Sequence, residues 1–287
     1  MNILLRRALI TTIGMALVLP VPAIVDGAAG AAAASHQHPR CDRRVAMTFD
    51  DGPSSYRTET LRTLRRERVP ATFFDVGIRI AANPQFTGFQ TREGHLVLNH
   101  TWSHPRLTDL PSSEIRSQVL RTEQVLDAAG SPLPFRLLRP PFGAVDDRVA
   151  ATLAEFGYRY ALWDVVAVDW DVATTSQQIY DTIVAGLRPG AVILMHDGPI
   201  DSAAGPAVQT ALPRIIAQAR RLGYCFGLLD VNGGVVAARP PSGRGAIPRV
   251  INPVPYLPLG ETSGGLLPPQ PYVIVSGQEA HAVPTVG

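Results

Sequence analysis

The chain has 287 residues, 46% of them hydrophobic, which is enough for one catalytic domain with a sizeable core and a further segment. Its 26 basic side chains, all arginine, nearly balance 24 acidic ones, and a net charge of +2 argues against nucleic acid or an anionic membrane surface as a partner. The lack of lysine is read as codon bias, not as selection for bidentate arginine pairs.

Residues 1–34 have the form of a secretory signal peptide. Arg6 and Arg7 precede the apolar run Ala8–Val25, and a small-residue stretch follows in which Ala32 and Ala34 make an A-x-A cleavage pattern. The run is marginal for a bilayer span, which needs roughly 20 residues, and Pro20 and Pro22 weaken it further. Cleavage between Ala29 and Ser35 is therefore expected over an uncleaved anchor, giving a secreted protein, extracellular or in the cell wall. No later stretch is long and apolar enough to cross a membrane.

Past the signal, strand-like and helix-like runs alternate. Val45–Phe49 is a short apolar strand, Tyr56–Arg68 an arginine-rich helix with Leu61 and Leu64 at helical spacing, and Ala71–Phe74 and Leu96–Asn99 further strands. An amphipathic helix begins at Pro111, with Ile115, Val119 and Leu126 on one face and Ser112 or Ser113 as its expected cap. Then come a strand at Phe135–Leu138, a helix at Asp146–Phe156 ended by Gly157, a strand at Tyr158–Trp163, a helix at Ser176–Leu187, a buried strand at Ala191–Met195, a helix at Ala207–Leu222 and a last strand at Tyr224–Leu229. This alternation implies a parallel sheet covered by helices, with about seven strands in a small or incomplete barrel. The catalytic domain is expected over 41–232. Residues 233–287 form a Pro/Gly-rich tail, largely irregular, with one candidate strand at Tyr272–Val275. Cys41 precedes the first strand and Cys225 lies in the last. Those strands are neighbours in a closed barrel, so a disulfide is expected over two buried thiols.

Polar clusters follow the apolar runs, where a barrel gathers its chemistry. His100 and His104 are four apart, a spacing that puts two imidazoles on one face of a helical turn, suited to a single metal ion. Asp50 and Asp51 end the first strand. One can ligate a metal while the other faces a water, and two histidines plus one carboxylate leave open positions, as a catalytic site requires. Surface histidines four apart and Asp-Gly-Pro turns are common without chemistry; their joint position at strand ends is what favours a metal hydrolase.

These clusters resemble the five motifs of the polysaccharide deacetylase family, the NodB-homology domain of carbohydrate esterase family 4. They are Thr48-Phe49-Asp50-Asp51-Gly52-Pro53, His100-Thr101-Trp102-Ser103-His104, Arg139-Pro140-Pro141-Phe142-Gly143, Asp164 with Asp169-Trp170, and Leu194-Met195-His196-Asp197. The resemblance covers about Arg44 to Asp230 and implies a distorted (β/α) barrel. By position, Asp50 resembles the catalytic base, and Asp51, His100 and His104 the metal triad. Arg139 is similar to the arginine that orients the base. The Phe142 backbone N–H stands for an oxyanion donor, and His196 for the general acid, held by Asp169. Trp170 and Leu194 resemble the walls of the acetyl-methyl pocket. Asp75 stands where the family often has an apolar residue, and Phe142 where tyrosine is frequent. Asp164 is read as a loop cap, Asp197 as a residue shaping the turn before Gly198-Pro199, and His95 as structural.

The resemblance implies a metal-dependent N-deacetylase with a metal-bound water as nucleophile; the signal segment makes secretion the expectation, and a monomer is expected. Its expected partner is a β-linked acetylated glycan, either chitooligosaccharide or peptidoglycan N-acetylglucosamine. Zinc suits the ligand set, with cobalt, nickel or manganese as alternatives. An O-acetyl xylan esterase on the same centre is the second reading, and an inactive glycan-binding module the third.

Overall fold

A computed structural model of the chain describes residues 41–197, 207–238, 241, 242, 245, 247 and 248. The expected signal peptide and the strand at Tyr272–Val275 lie outside the described residues. The elements in order are β1 (Arg44–Gly52), α1 (Arg57–Glu67), β2 (Thr72–Asp75), α2 (Gly77–Ala82), α3 (Gln85–Arg92), β3 (Leu96–Asn99), α4 (Ser112–Ala128), β4 (Leu137–Leu138), α5 (Asp147–Glu155), β5 (Arg159–Tyr160), β6 (Val165–Val166), α6 (Ser176–Ala185), β7 (Val192–His196), α7 (Ala207–Arg221), β8 (Cys225–Leu229) and β9 (Val235–Ala237).

The strands form one sheet in the order β5-β4-β3-β2-β1-β7-β6, parallel throughout. Ala46 is paired with Val192 of β7 and with Gly227 of β8. A strand has two edges, so β8 shares the β2 edge of β1, and β9 adds an antiparallel strand beyond it. This is the helix-covered, mostly parallel half-barrel expected. The described sheet has nine strands where about seven were expected, and β9 lies past residue 232, inside the segment read as tail.

Period-2 alternation sorts the sheet into two faces. Val45, Met47 and Phe49 of β1, with Ile193 and Met195 of β7, pack on the core cluster shared with α1, α6 and α7. Phe49 stacks on Phe73 at 5.3 Å. Ala46, Phe74, Leu98 and Val192 fill the inner cluster. Thr48, Asp50, Leu194 and His196 therefore fall on the inner face, at the strands' C-terminal ends.

Several expectations change. Two short helices, α2 and α3, occupy a stretch in which none was expected; Asn83-Pro84 divides them, so neither is long enough to show a clear period. Strands expected over Phe135–Leu138 and Tyr158–Trp163 shorten to two residues each. Arg139-Pro140-Pro141 ends β4. The carbonyls of Ala161 and Leu162, past β5, accept instead from Arg139 at 3.4 and 2.9 Å. Pro111 is the N-cap of α4 without a side-chain cap, and Ser112 bonds Thr152 of α5 at 2.8 Å. The Cys41–Cys225 disulfide is formed, its Cα atoms 6.4 Å apart, with Cys225 opposite Arg44 in the β1–β8 register.

His95 links β2 and β3 from a buried position. Its Nδ1 accepts the Ala71 N–H at 3.2 Å, which requires that nitrogen to be unprotonated. Burial, then the charges of Arg57 and Arg65, push its pKa down to about 3. A histidine depressed on folding contributes stability present above its unfolded value, about 6.5, and lost as pH falls through the folded value. We expect His95→Asn, which keeps an acceptor but cannot titrate, to flatten the acid destabilisation between about pH 6.5 and 3. The wild-type loss in that window is on the order of 4 kcal/mol. Parallel urea titrations of the two proteins check this; curves with equal pH slopes would contradict it.

Candidate active site

The acidic pair sits on a bulge. Asp50 pairs with Phe74 and Gly52 with Asp75, so the register shifts across Asp51. Asp51 takes φ +68, a left-handed conformation uncommon for a residue with a Cβ. Adjacent strand residues normally point to opposite faces. The bulge and the left-handed turn bring both carboxylates to one site: Asp50 Oδ2 lies 3.8 Å and Asp51 Oδ1 3.3 Å from His100 Nε2.

The histidines do not share a helical turn, contrary to the spacing argument. They lie on a non-helical loop after β3, in which Thr101 (φ 68) and His104 (φ 62) are left-handed. Hydrogen bonds hold this unusual backbone. Asn99 Oδ1 accepts from Thr101 N at 2.8 Å, and Thr101 Oγ1 from His104 N at 3.2 Å. Gln118 Oε1 of α4 accepts from Trp102 N and Ser103 N at 3.0 and 2.9 Å. Gln118 escaped the sequence reading, though it is a polar residue three positions after Ile115, near the helix's buried face.

Asp51, His100 and His104 fit a cation. Each offers one ligand atom, and these lie within 4.8 Å of one another. His100 Nδ1 is 2.7 Å from the Arg139 carbonyl, which can only accept, so Nδ1 carries a proton and Nε2 is the ring atom turned inward. Asp51 Oδ1 is buried without a hydrogen-bond partner, although His104 Nε2 is 3.0 Å away. With the His100 ring neutral, its Nε2 and Asp51 Oδ1 would meet as two acceptors in a buried space, which calls for a positive charge there, brought by a cation or by protonation of the rings. A tetrahedral site with arms of about 2.0–2.1 Å has edges of roughly 3.3 Å, close to the two separations from Asp51 Oδ1, 3.3 Å to His100 Nε2 and 3.0 Å to His104 Nε2. Burial opposes the charge of Asp51, but His104, His100 and His196 outweigh it and hold the carboxyl well below its ordinary range.

Arg139 is fully buried and donates from Nη1 to Asp50 Oδ1 at 2.7 Å and to Thr48 Oγ1 at 2.8 Å. His196, at the end of β7, is gripped twice by Asp169: the backbone N–H donates to Oδ2 at 2.6 Å and ring Nδ1 lies 2.8 Å from Oδ1. Its Nε2 then lies 3.8 Å from Asp51 Oδ2. Burial opposes its protonation, but Asp169, with Asp51 and Asp50, raises its pKa to about 10. Trp170 packs edge-on to His196 at 5.5 Å, Leu194 is buried on the same strand face, and Phe142, at φ 60, packs on His104 at 4.7 Å. Nine of the expected site residues are thus linked by these contacts, and Leu194 shares the inner strand face with His196. Asp164 lies apart, bonding Arg188 and Val192 N, as a loop cap would.

Beneath the Asp51 turn lies a buried charge cluster that sequence reading did not foresee. Arg57 donates to both Asp75 oxygens, at 2.6 and 3.1 Å, and from Nε to Asp197 Oδ2 at 2.5 Å. This accounts for the acid at 75 and gives the Asp197 carboxylate a partner in Arg57, while the Gly198-Pro199 turn that Asp197 is expected to shape lies outside the described residues. A Cβ on Gly52 would stand 1.5 Å from Arg57 Nη2, so only glycine admits the cluster. Burial, above all, raises the Asp197 pKa to about 6. Arg57→Met would leave two buried carboxylates without their cation. We expect a loss of about 3–5 kcal/mol near pH 7.5, shrinking toward pH 5 as protonation relieves them. Urea unfolding at both pH values checks this, and an equal loss at each would contradict it.

Comparison with known proteins gives consistent likenesses. A family model described as polysaccharide deacetylase matches residues 37–161. A chitooligosaccharide deacetylase of Bradyrhizobium sp. is 37% identical over 157 residues, covering 54% of this chain and 71% of that protein. The peptidoglycan-N-acetylglucosamine deacetylase PgdA of Listeria monocytogenes is 35% identical over 192 residues, covering 67% of this chain. The chain spans only 39% of that longer relative. Among solved structures, a family 4 carbohydrate esterase from Streptomyces lividans in complex with acetate matches with a TM-score of 0.64 and 34% identity, over 69% of this chain and all of that one.

Proposed function

Because the chain belongs to the polysaccharide deacetylase family, we propose that it hydrolyses N-acetyl groups of a β-linked glycan, with Asp51, His100 and His104 holding a divalent cation, zinc by preference. The observation that carries this reading is the convergence of those three ligand atoms beside Asp50, itself fixed by Arg139. When bound, the cation polarises the acyl oxygen and acidifies a water.

The chain's own residues do the rest. Asp50 accepts a proton from the attacking water, its other oxygen held on Arg139. The Phe142 N–H donates to the developing oxyanion, where one such donor is typically worth about 3 kcal/mol. Trp170 and Leu194 enclose the acetyl methyl and disfavour larger acyl groups. An amine leaves poorly as an anion. His196, kept charged and oriented by Asp169, gives its Nε2 proton to the departing nitrogen. Water and amide go in; acetate and a free amine come out.

The disulfide fits an oxidising compartment, and with the N-terminal signal pattern it supports export to the cell wall or beyond. The tested outcome is acetate release from chitopentaose. We expect turnover to vanish on chelation and return with zinc or cobalt, and Asp50→Asn to lower kcat by about 10²–10⁴-fold. His196→Ala is expected to harm amide hydrolysis more than cleavage of an O-acetyl ester, whose alkoxide needs less acid assistance. A properly metallated protein that frees no acetate from any acetylated glycan refutes the proposal, and turnover of acetylxylan alone favours the esterase reading.

A further inference from the structure

The rings around the centre fall in a spatial series. Trp170 packs on His196 at 5.5 Å, His196 faces Asp51, Asp51 faces His104, and His104 packs on Phe142 at 4.7 Å. Both end rings are open to solvent, Trp170 at 39% and Phe142 at 52% exposure. Exposed aromatic rings flanking a reaction centre make a track on which sugar faces can lie.

The two ends differ in charge. Beside Trp170 stands exposed Asp171, whose side chain accepts from the Ala173 N–H at 2.9 Å. At the other end Arg106, also exposed, lays its guanidinium carbon 4.7 Å from the centre of the Phe142 ring. Stacking uses the face of the guanidinium and leaves its N–H donors at the edge free. Among the described residues no carboxylate lies within ion-pair distance of Arg106. The nearby acid, Asp109, bonds Thr108. Arg148, which also approaches this loop, donates to the carbonyls of Leu110 and Thr108 and lies 3.8 Å from Asp146. An uncompensated, forked donor is therefore held in place two ring contacts from the cation ligand His104.

We propose that the Arg106–Phe142 ledge is a binding subsite for the sugar next to the one deacetylated, and that Arg106 selects glycans whose neighbouring sugar carries a carboxylate over neutral chains. The subsite deepens the deacetylase reading and rests on it. Phe142 supplies a sugar-stacking face that any glycan can use, and Arg106 adds bidentate recognition that only an acidic substituent can meet. The Arg106 side chain has no part in the proposed cleavage, so its selection acts through substrate binding.

The test compares three substrates: glycan strands of alternating N-acetylglucosamine and N-acetylmuramic acid freed of peptide, the same strands with their lactyl carboxylates converted to methylamides, and neutral chitopentaose. For the wild type, amidation should raise KM about two- to fivefold with little change in kcat, as an exposed ion pair provides, and added salt should narrow the gap. Arg106→Gln should bring the free-acid and amide KM values together, and Arg106→Glu should invert their order. Equal KM values in the wild type, or a preference that survives Arg106→Gln, overturns the subsite while leaving the deacetylase reading intact. Absence of acetate from all three substrates overturns the deacetylase reading itself, and the subsite with it.

Discussion

Arg139 fixes both halves of the site at once. Its side chain is buried and spends its donors on Asp50, Thr48 and the carbonyls of Ala161 and Leu162. Its own backbone carbonyl accepts a hydrogen bond from His100 Nδ1–H and so turns Nε2 toward Asp51. One residue thereby aims the carboxylate proposed as base and sets the tautomer of a proposed cation ligand. The guanidinium is also boxed by aromatic faces, with Phe74 at 4.2 Å and Trp163 at 5.7 Å. A buried charge so fully partnered cannot easily be moved, because leaving any one partner unpaired carries its full desolvation cost.

Around that anchor the fold converts sequence periodicity into a shared centre. Two-residue alternation sends Thr48 and Asp50 of β1, and Leu194 and His196 of β7, to the inner face. The adjacent pairing of β1 and β7 then sets Asp50 directly opposite His196. Asp51 escapes the alternation through the bulge and its left-handed backbone, and the Arg57 cluster packs beneath the turn that results. Left-handed residues at 51, 101, 104 and 142 all line this region, which is where backbone strain is commonly stored when surrounding bonds over-determine it.

Much of this was legible in the chain, for reasons that can be named. Apolar runs such as Val45–Phe49 and Ala191–Met195 are buried on both faces, so their strands were plain, and the polar residues that end them were plainly out of place in a core. The Cys41–Cys225 pairing followed from β8 lying beside β1. What stayed hidden depends on contacts between distant residues. The histidine spacing suggested a helical turn, yet Gln118, fifteen or more positions away on α4, accepts from the backbone at 102 and 103 and helps hold a loop. Asp75 read as a mild anomaly because its partner, Arg57, is eighteen positions away on α1. β9 was lost in a Pro/Gly-rich composition, and its pairing with β8 has no local signal strong enough to stand against it.

A single positive ion among Asp51, His100 and His104, whose ligand atoms all lie within 4.8 Å of one another, is the central requirement of the proposed chemistry. Titrating metal-free protein with cobalt(II) and following its visible absorption tests that most directly, without reference to turnover. One equivalent should saturate the signal, and Asp51→Asn or His104→Ala should abolish it or weaken uptake by orders of magnitude. Uptake that ignores both substitutions, or no uptake by folded wild-type protein, would contradict the account.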